Sequence, residues 1–307
     1  MTITNKQNLP AGLVKAVSTD RHNLAMCLSA TTLLQGLKQI ILTDRYWEQL
    51  EDDAADRIWA IWGSAVHSLL ESEGENDFTE QEMSYKVGDI TITGKIDNYY
   101  LNSEMNSGII SDYKTASVNK IRFNDFSEWH MQGMIYAWLL TRNNFPVERC
   151  RFIALLKDHS KTDAMRDRTY PQSPVFVYDF LVTAGDLFKT GNFIRGKVSE
   201  YLKYYEAVDD EIPPCLPNER WERPSKYAVM KEGRKNAVRL FDDKISADEK
   251  MAELGKGHYI EQRSGGSVKC QSYCICRNFC NYYRENVLGH AVAFNTDTEN
   301  QTDKTAA

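Results

Sequence analysis

Asp97, Asp112 and Lys114 are the residues whose types and spacing carry chemistry. Asp112 and Lys114 stand two apart in Ile110-Ser111-Asp112-Tyr113-Lys114-Thr115, and Asp97 closes Gly94-Lys95-Ile96-Asp97 upstream. Residues 90–101 alternate β-branched and polar types, and residues 102–108 are rich in Asn, Ser and Gly, a strand, loop, strand pattern. With the loop centred between Glu104 and Met105, antiparallel pairing sets Asp97 opposite Asp112, their Cα atoms roughly 5 Å apart. Side chains alternate along a strand, so Lys114 shares the face of Asp112 while Tyr113 points away. Two carboxylates that close repel unless a cation lies between them, and oxygen ligands select a hard ion such as Mg²⁺ or Mn²⁺. A neighbouring ammonium can align a water or offset charge on a phosphate, so the set reads as equipment for metal-assisted hydrolysis.

Elements on either side must complete such a site. Upstream, residues 62–71 are helical in pattern, with Gly63 and His67 one turn apart, so that a helix presents His67 to the metal. Downstream, residues 126–141 form another helical stretch, with Gln132 and Tyr136 four apart on one side and Met134, Ala137 and Leu140 available for packing. That pair is placed to orient the lysine or to grip a substrate.

Gly63-x-x-x-His67, Gly94-x-x-Asp97, Asp112-Tyr113-Lys114-Thr115 and Gln132-x-x-x-Tyr136 follow one another in this order. The pattern resembles the RecB-type branch of the PD-(D/E)XK nucleases, which includes the AddB nuclease domain, CRISPR-adaptation exonucleases and phage recombination exonucleases. The segment Leu28-Ser29-Ala30-Thr31-Thr32-Leu33-Leu34 resembles, more faintly, the opening of such domains. The resemblance implies that His67, Asp97 and Asp112 bind the metal, with the backbone carbonyl of Tyr113 as a further ligand. It implies Lys114 as the catalytic lysine and Gln132 and Tyr136 as supporting residues. The implied activity is a Mg²⁺- or Mn²⁺-dependent DNA exonuclease in recombination or end processing, in a phage or bacterial setting. A structure-specific or single-strand endonuclease is the alternative, since the same core serves both. A DNA-binding or regulatory partner of a recombinase, helicase or single-strand annealing protein is the reading from a different class.

A second cluster, Cys270, Cys274, Cys276 and Cys280, places four of the seven cysteines within one short segment. No secretory leader pattern precedes it, so metal thiolates are expected rather than disulfides. In the same family a C-terminal cysteine triplet joins an upstream cysteine around an iron–sulfur cluster, and Cys270, Cys274 and Cys280 match the triplet best. The match departs from the pattern: the first gap is longer by one, Cys276 is extra, and Leu37 and Lys38 occupy the usual upstream position. The fourth ligand stays open among Cys276, Cys215 and Cys27. A [4Fe–4S] cluster is expected, with Zn²⁺ as the rival. Cys150, in an apolar strand-like run, reads as a buried thiol.

The net charge of −6 is unevenly distributed. Residues 44–82 are acidic, with Arg45 and Arg57 their only Lys or Arg. Arg220, Arg223, Arg234 and Lys235 belong to a basic segment, and Lys120 and Arg122 follow the strand bearing Lys114; these are the candidate phosphate contacts. No apolar run reaches membrane-spanning length, so no membrane partner and a cytoplasmic location are expected.

The succession of patterns predicts an α/β core with a mixed central sheet flanked by helices, plus a C-terminal helical and cysteine-rich metal-binding segment. The expected organisation is a flexible arm over 1–23, the nuclease-like core over 24–207, a linker, basic helical region and cysteine cluster over 208–288, and a disordered tail over 289–307. Within it, residues 24–42 and 46–73 read as helices, and residues 226–254 as mostly helical.

Overall fold

The computed structural model describes residues 1–18, 26–71, 78–102, 104 and 106–288. The expected tail over 289–307 therefore lies outside the described residues. The chain divides into two compact units, one of residues 1–35 and 47–206, the other of residues 36–46 and 207–307.

The first unit is built on a six-stranded mixed sheet. Its strands are β1 (Cys27–Ser29), β2 (Phe78–Val87), β3 (Ile90–Asn102), β4 (Ser107–Ala116), β5 (Arg149–Leu156) and β6 (Val175–Leu181). The order is β1-β3-β4-β5-β6, with β2 also paired to β3. β1 lies parallel to β3 and β4 to β5, while the other pairs are antiparallel. β2 and β3 meet in a two-residue turn where Gly88 takes a φ of +60°, a left-handed conformation that costs glycine little.

The three longest helices of this unit are α1 (Ile58–Glu71), α2 (Ser127–Arg142) and α3 (Ala184–Tyr204). α2 is apolar nearly all round, buried from Gln132 to Leu140, because it packs on β2, β3, β4 and β5 and also on α3. Gly133 lets it approach the sheet, since a Cβ there would stand 2.9 Å from the Phe152 ring. Phe126, Trp129, Phe152, Tyr178 and Phe180 stack beside it into an aromatic core between α2, β5 and β6. Thr183 caps α3 by accepting a hydrogen bond from Asp186 N at 3.2 Å.

Two helical expectations break up here for local reasons. Residues 46–73 hold a strand at Glu51–Asp53, parallel to Thr2–Thr4, before α1 begins. The Asp53 carboxylate accepts from Thr4 Oγ1, Lys6 N and Ala55 N, partners that an uninterrupted helix would not offer. Residues 24–42 split into β1, a short helix Ala30–Leu33 capped by Ser29, and a helix Leu37–Arg45 that starts at Gly36. Within residues 1–18 of the expected N-terminal arm, Ala11–Val17 is helical.

The second unit contains that Leu37–Arg45 helix and a small three-stranded sheet. β7 (Lys226–Lys231) runs between β8 (Arg239–Phe241) and β9 (His258–Arg263), antiparallel to both. Only α4 (Lys244–Leu254) in this stretch is helical, capped by Asp243 and ended by Gly255 at φ +76°. The expected helix over 226–254 is thus corrected. Tyr227-Ala228-Val229-Met230 is a continuous apolar run, and such a run fits a central strand with a neighbour on each edge. Lys38 is buried against the same unit, its ammonium donating to the carbonyls of Asp209 and Ile212 at 2.6 and 2.9 Å. Among the described residues no helix is long and apolar enough to cross a membrane.

Candidate active site

β3 serves two partners in succession along one edge. Its residues 91–93 pair with β1 and those from Asn98 onward with β4, so residues 94–97 bridge the gap between them. One step beyond the Asn98–Ser111 pair, the register sets Asp97 opposite Asp112, as the loop centre predicts. From there β4 continues beside β5 alone, Asp112 against Phe152 and Lys114 against Ala154. The Tyr113 N–H, released where the β3 ladder ends, donates to Asp97 Oδ2 at 2.8 Å. A carboxylate thus joins the two strands at the point where backbone pairing stops.

Other groups gather at this divergence. Asp97 Oδ1 lies 3.2 Å from His67 Nδ1 on α1, and Lys114 Nζ lies 2.6 Å from Asp112 Oδ1. Asp112 is buried, whereas Lys114 and His67 are partly exposed. Burial pushes the Asp112 carboxyl up to about 6; the Lys114 ammonium opposes this and Asp97 adds to it. The hydrogen bond to Asp97 raises His67 above the usual imidazole range, against the effect of burial. On α2, Gln132 donates to the Tyr136 hydroxyl at 2.8 Å inside the core. Burial, then the Asp112 carboxylate, holds the Tyr136 hydroxyl above its usual range. Gly94 makes this possible, because a Cβ there would meet Leu139 at 2.8 Å and the Tyr136 ring at 3.0 Å. Gly63 is different: a Cβ would find only Thr115 Oγ1, at an ordinary 3.9 Å.

Among the described residues no three of His, Cys, Asp or Glu stand together as a ready metal site. The donor chemistry of the cluster nevertheless fits a divalent ion. Asp112 Oδ1 is buried without a hydrogen bond of good geometry, its short contact with Lys114 being an ion pair only. An oxygen so placed, beside a second carboxylate and an imidazole, suits a hard cation.

In the second unit, Cys215 and Cys270 each lie close enough to other thiols to be shifted by them. Burial and then the neighbouring thiols Cys274, Cys215 and Cys280 push Cys270 up to about 12. Burial raises Cys215 too, with Cys274 and Cys280 adding to the shift. Cys276 is buried, lies 3.5 Å from Cys274 Sγ, and its thiol donates to the Gln39 carbonyl at 3.8 Å; Cys274 and burial hold it above the usual thiol range. That hydrogen bond between thiols lowers Cys274 to about 7. Cys270, Cys274 and Cys280, with Cys215 or Cys276 as a fourth, have the donor chemistry of a thiolate-bound centre, although among the described residues they do not stand together as a ready metal site. Cys27 lies on β1 near Thr93, and Cys150 is buried against the Gly133 carbonyl, as expected.

The candidate phosphate contacts divide by burial. Arg223, Arg234 and Lys235 are exposed in the second unit, and Arg122 is exposed in the first, where Lys120 Nζ stands 5.5 Å from the Trp129 ring centre. Arg220 is corrected: it is buried, bonded to the Cys215 carbonyl and Glu222, and stacked on Tyr282. Its guanidinium fastens the cysteine segment and is not free for phosphate. Sequence reasoning passed over Phe152, whose ring centre lies 5.5 Å from Lys114 Nζ, although its alternation in the apolar run 150–156 was the available signal.

A sequence model of the PD-(D/E)XK nuclease superfamily matches residues 18–281. The chain belongs to that superfamily. Among solved structures, this PD-(D/E)XK chain resembles SSO0001 at 19% identity over 61% of its own length and 81% of that chain, with a TM-score of 0.43. It also resembles a phage-related exonuclease from Haemophilus somnus 129PT, at 14% identity over 58% and 75% of the two chains, with a TM-score of 0.29. No curated protein sequence matches it.

Proposed function

We propose that this PD-(D/E)XK protein is a Mg²⁺- or Mn²⁺-dependent DNA exonuclease of the RecB-like branch, acting in recombination or end processing in the cytoplasm of a bacterium or phage-infected host. What supports the reading is the convergence of His67, Asp97, Asp112 and Lys114 at the divergence of β3 and β4. His67, Asp97, Asp112 and the Tyr113 carbonyl would hold the ion. Bound there, it would supply Lewis-acid polarisation of the scissile phosphate and make water nucleophilic near neutral pH. Lys114, a fixed positive charge beside Asp112, orients the attacking water and offsets charge gathering on the phosphate. Asp97 fixes His67 and Tyr113 together, and Tyr136, hydrogen-bonded to Gln132, lies close enough to Asp112 for the carboxylate to raise its hydroxyl. Lys120, Arg122, Arg223, Arg234 and Lys235 would contact the DNA backbone.

Residues 24–207 would carry catalysis, while a structural [4Fe–4S] cluster on Cys215, Cys270, Cys274 and Cys280 would brace residues 208–288. Zn²⁺ is the alternative occupant of the four thiols. A recombinase, helicase or single-strand annealing protein would supply the partner.

Digestion of matched linear duplex, covalently closed duplex and single strands by anaerobically purified protein tests the activity. Metal-dependent loss of linear DNA alone, absent in Asp112→Ala, is expected. Cutting of closed circles would make the protein an endonuclease, and no cleavage of any DNA would reject the nuclease reading. A brown protein absorbing near 400 nm, with matching iron and sulfide, is expected for the cluster. A colourless anaerobic preparation holding zinc would overturn it.

A further inference from the structure

Trp59 and Trp62, one helical turn apart on α1, are 60% and 57% exposed. Large indole surfaces left in water beside cations form the kind of surface on which nucleic acid bases stack. Lys157 Nζ lies 4.3 Å from the centre of the Trp59 ring, a cation–π contact that engages one face of the indole while most of the side chain remains in solvent. Lys157 is itself held in place, since its N–H donates to the Ala116 carbonyl at the end of β4. The next residue, Asp158, accepts hydrogen bonds from Ser117 and Val118.

α1 links this spot to the carboxylates. Trp59, Gly63 and His67 recur every fourth residue and so share one stripe of the helix, with Gly63 over Thr115 and His67 against Asp97. At 1.5 Å per residue, Trp59 stands roughly 12 Å along the axis from His67. Phe123, 79% exposed, and the exposed Arg122 follow the same end of β4.

We propose that Trp59 and Lys157 form a subsite for one unpaired nucleotide near the scissile bond. The base stacks on the solvent-facing side of the Trp59 indole with Trp62 flanking it, and the Lys157 ammonium meets its phosphate. In a duplex each base face is covered by its neighbours except at the ends, so the subsite selects DNA that is single-stranded over this stretch. The inference rests on the nuclease reading for its substrate, and its test reads binding rather than cleavage.

Anisotropy of an end-labelled oligo-dT and of a blunt hairpin duplex of equal length, in EDTA under anaerobic conditions, measures both affinities with the full-length protein. Trp59→Ala weakens oligo-dT binding about tenfold and hairpin binding less than twofold, Trp59→Phe recovers most of the loss, and circular dichroism is unchanged. Lys157→Gln lowers the salt dependence of oligo-dT binding by about 0.7 in the log–log slope. Oligo-dT affinity within twofold of wild type in Trp59→Ala, or equal loss on both DNAs, overturns the subsite. Trp59-dependent oligo-dT binding by a wild-type protein that cleaves no DNA would reject the nuclease reading and leave the subsite standing.

Discussion

The His67–Asp97–Asp112–Lys114 cluster and the thiols of Cys215, Cys270, Cys274 and Cys280 are held by different kinds of structure. The carboxylates and lysine ride on long strands whose registers are locked by neighbours, and His67 on a helix of 14 residues. Cys270 sits on a five-residue helix, Cys274 in the loop after it, Cys280 just past a 3₁₀ turn, and Cys215 in a segment without regular structure. Backbone ladders place the first set whether or not a ligand is bound. Short turns contribute few backbone hydrogen bonds, so the second set leans on Arg220 and on Tyr46 stacked against Phe279.

The comparison is sharpened most by removing one member of each cluster. Asp112→Ala and Lys114→Ala should each lower cleavage by about a thousandfold or more while circular dichroism stays native; activity near wild type in either would break the assignment. In the thiol cluster, Cys274→Ser should strip the metal and destabilise the protein by about 2–5 kcal/mol in anaerobic denaturant titration. Cys215→Ser should do the same, whereas Cys276→Ser should keep its metal content. Retained metal in Cys215→Ser would return Cys276 to the fourth position.

Smaller effects probe how the ladders place the first set. Gly94→Ala pushes on Leu139 and the Tyr136 ring and should cost about 1–3 kcal/mol, while Gly63→Ala, inside a helix with room for a Cβ, should stabilise by about 0.5–1 kcal/mol. Equal effects would mean that α1 and α2 approach the sheet alike. The last is a pH dependence in chelator. Asp112 and His67 both have raised values in the folded protein, so the native state binds more protons and stability falls as pH rises from about 4 through about 6 and beyond. Asp112→Asn should flatten the Asp112 part of that fall, raising the melting temperature at pH 8 relative to wild type but not at pH 4. A parallel shift at both pH values would show that Asp112 titrates alike in the folded and unfolded protein, against the raised value.

What was legible in the sequence follows from range. The β3–β4 register came from one loop composition, because a hairpin is a local object whose pairing is counted outward from its turn. The Gln132–Tyr136 contact came from helical spacing, and the hydrogen bond joins the two side chains. Arg220 was misjudged because charge shows in composition and burial does not. β7 was missed because an apolar run without alternation has no period, and its two partners lie at residues 239–241 and 258–263. Trp59 and Trp62 drew no notice, since tryptophan in a helical pattern reads as core until exposure is known.

The helix Leu37–Arg45 belongs to the second unit although the first unit flanks it in the chain on both sides. Its apolar residues Leu37, Ile40, Ile41 and Leu42 are buried, and the Lys38 ammonium takes its carbonyl partners from residues 209 and 212. During synthesis that helix leaves the ribosome long before those partners exist. At about 5–20 residues per second the wait is roughly ten to thirty seconds. Cutting the gene after residue 206 makes the wait permanent, so an excised core should be a client of chaperones rather than a smaller enzyme.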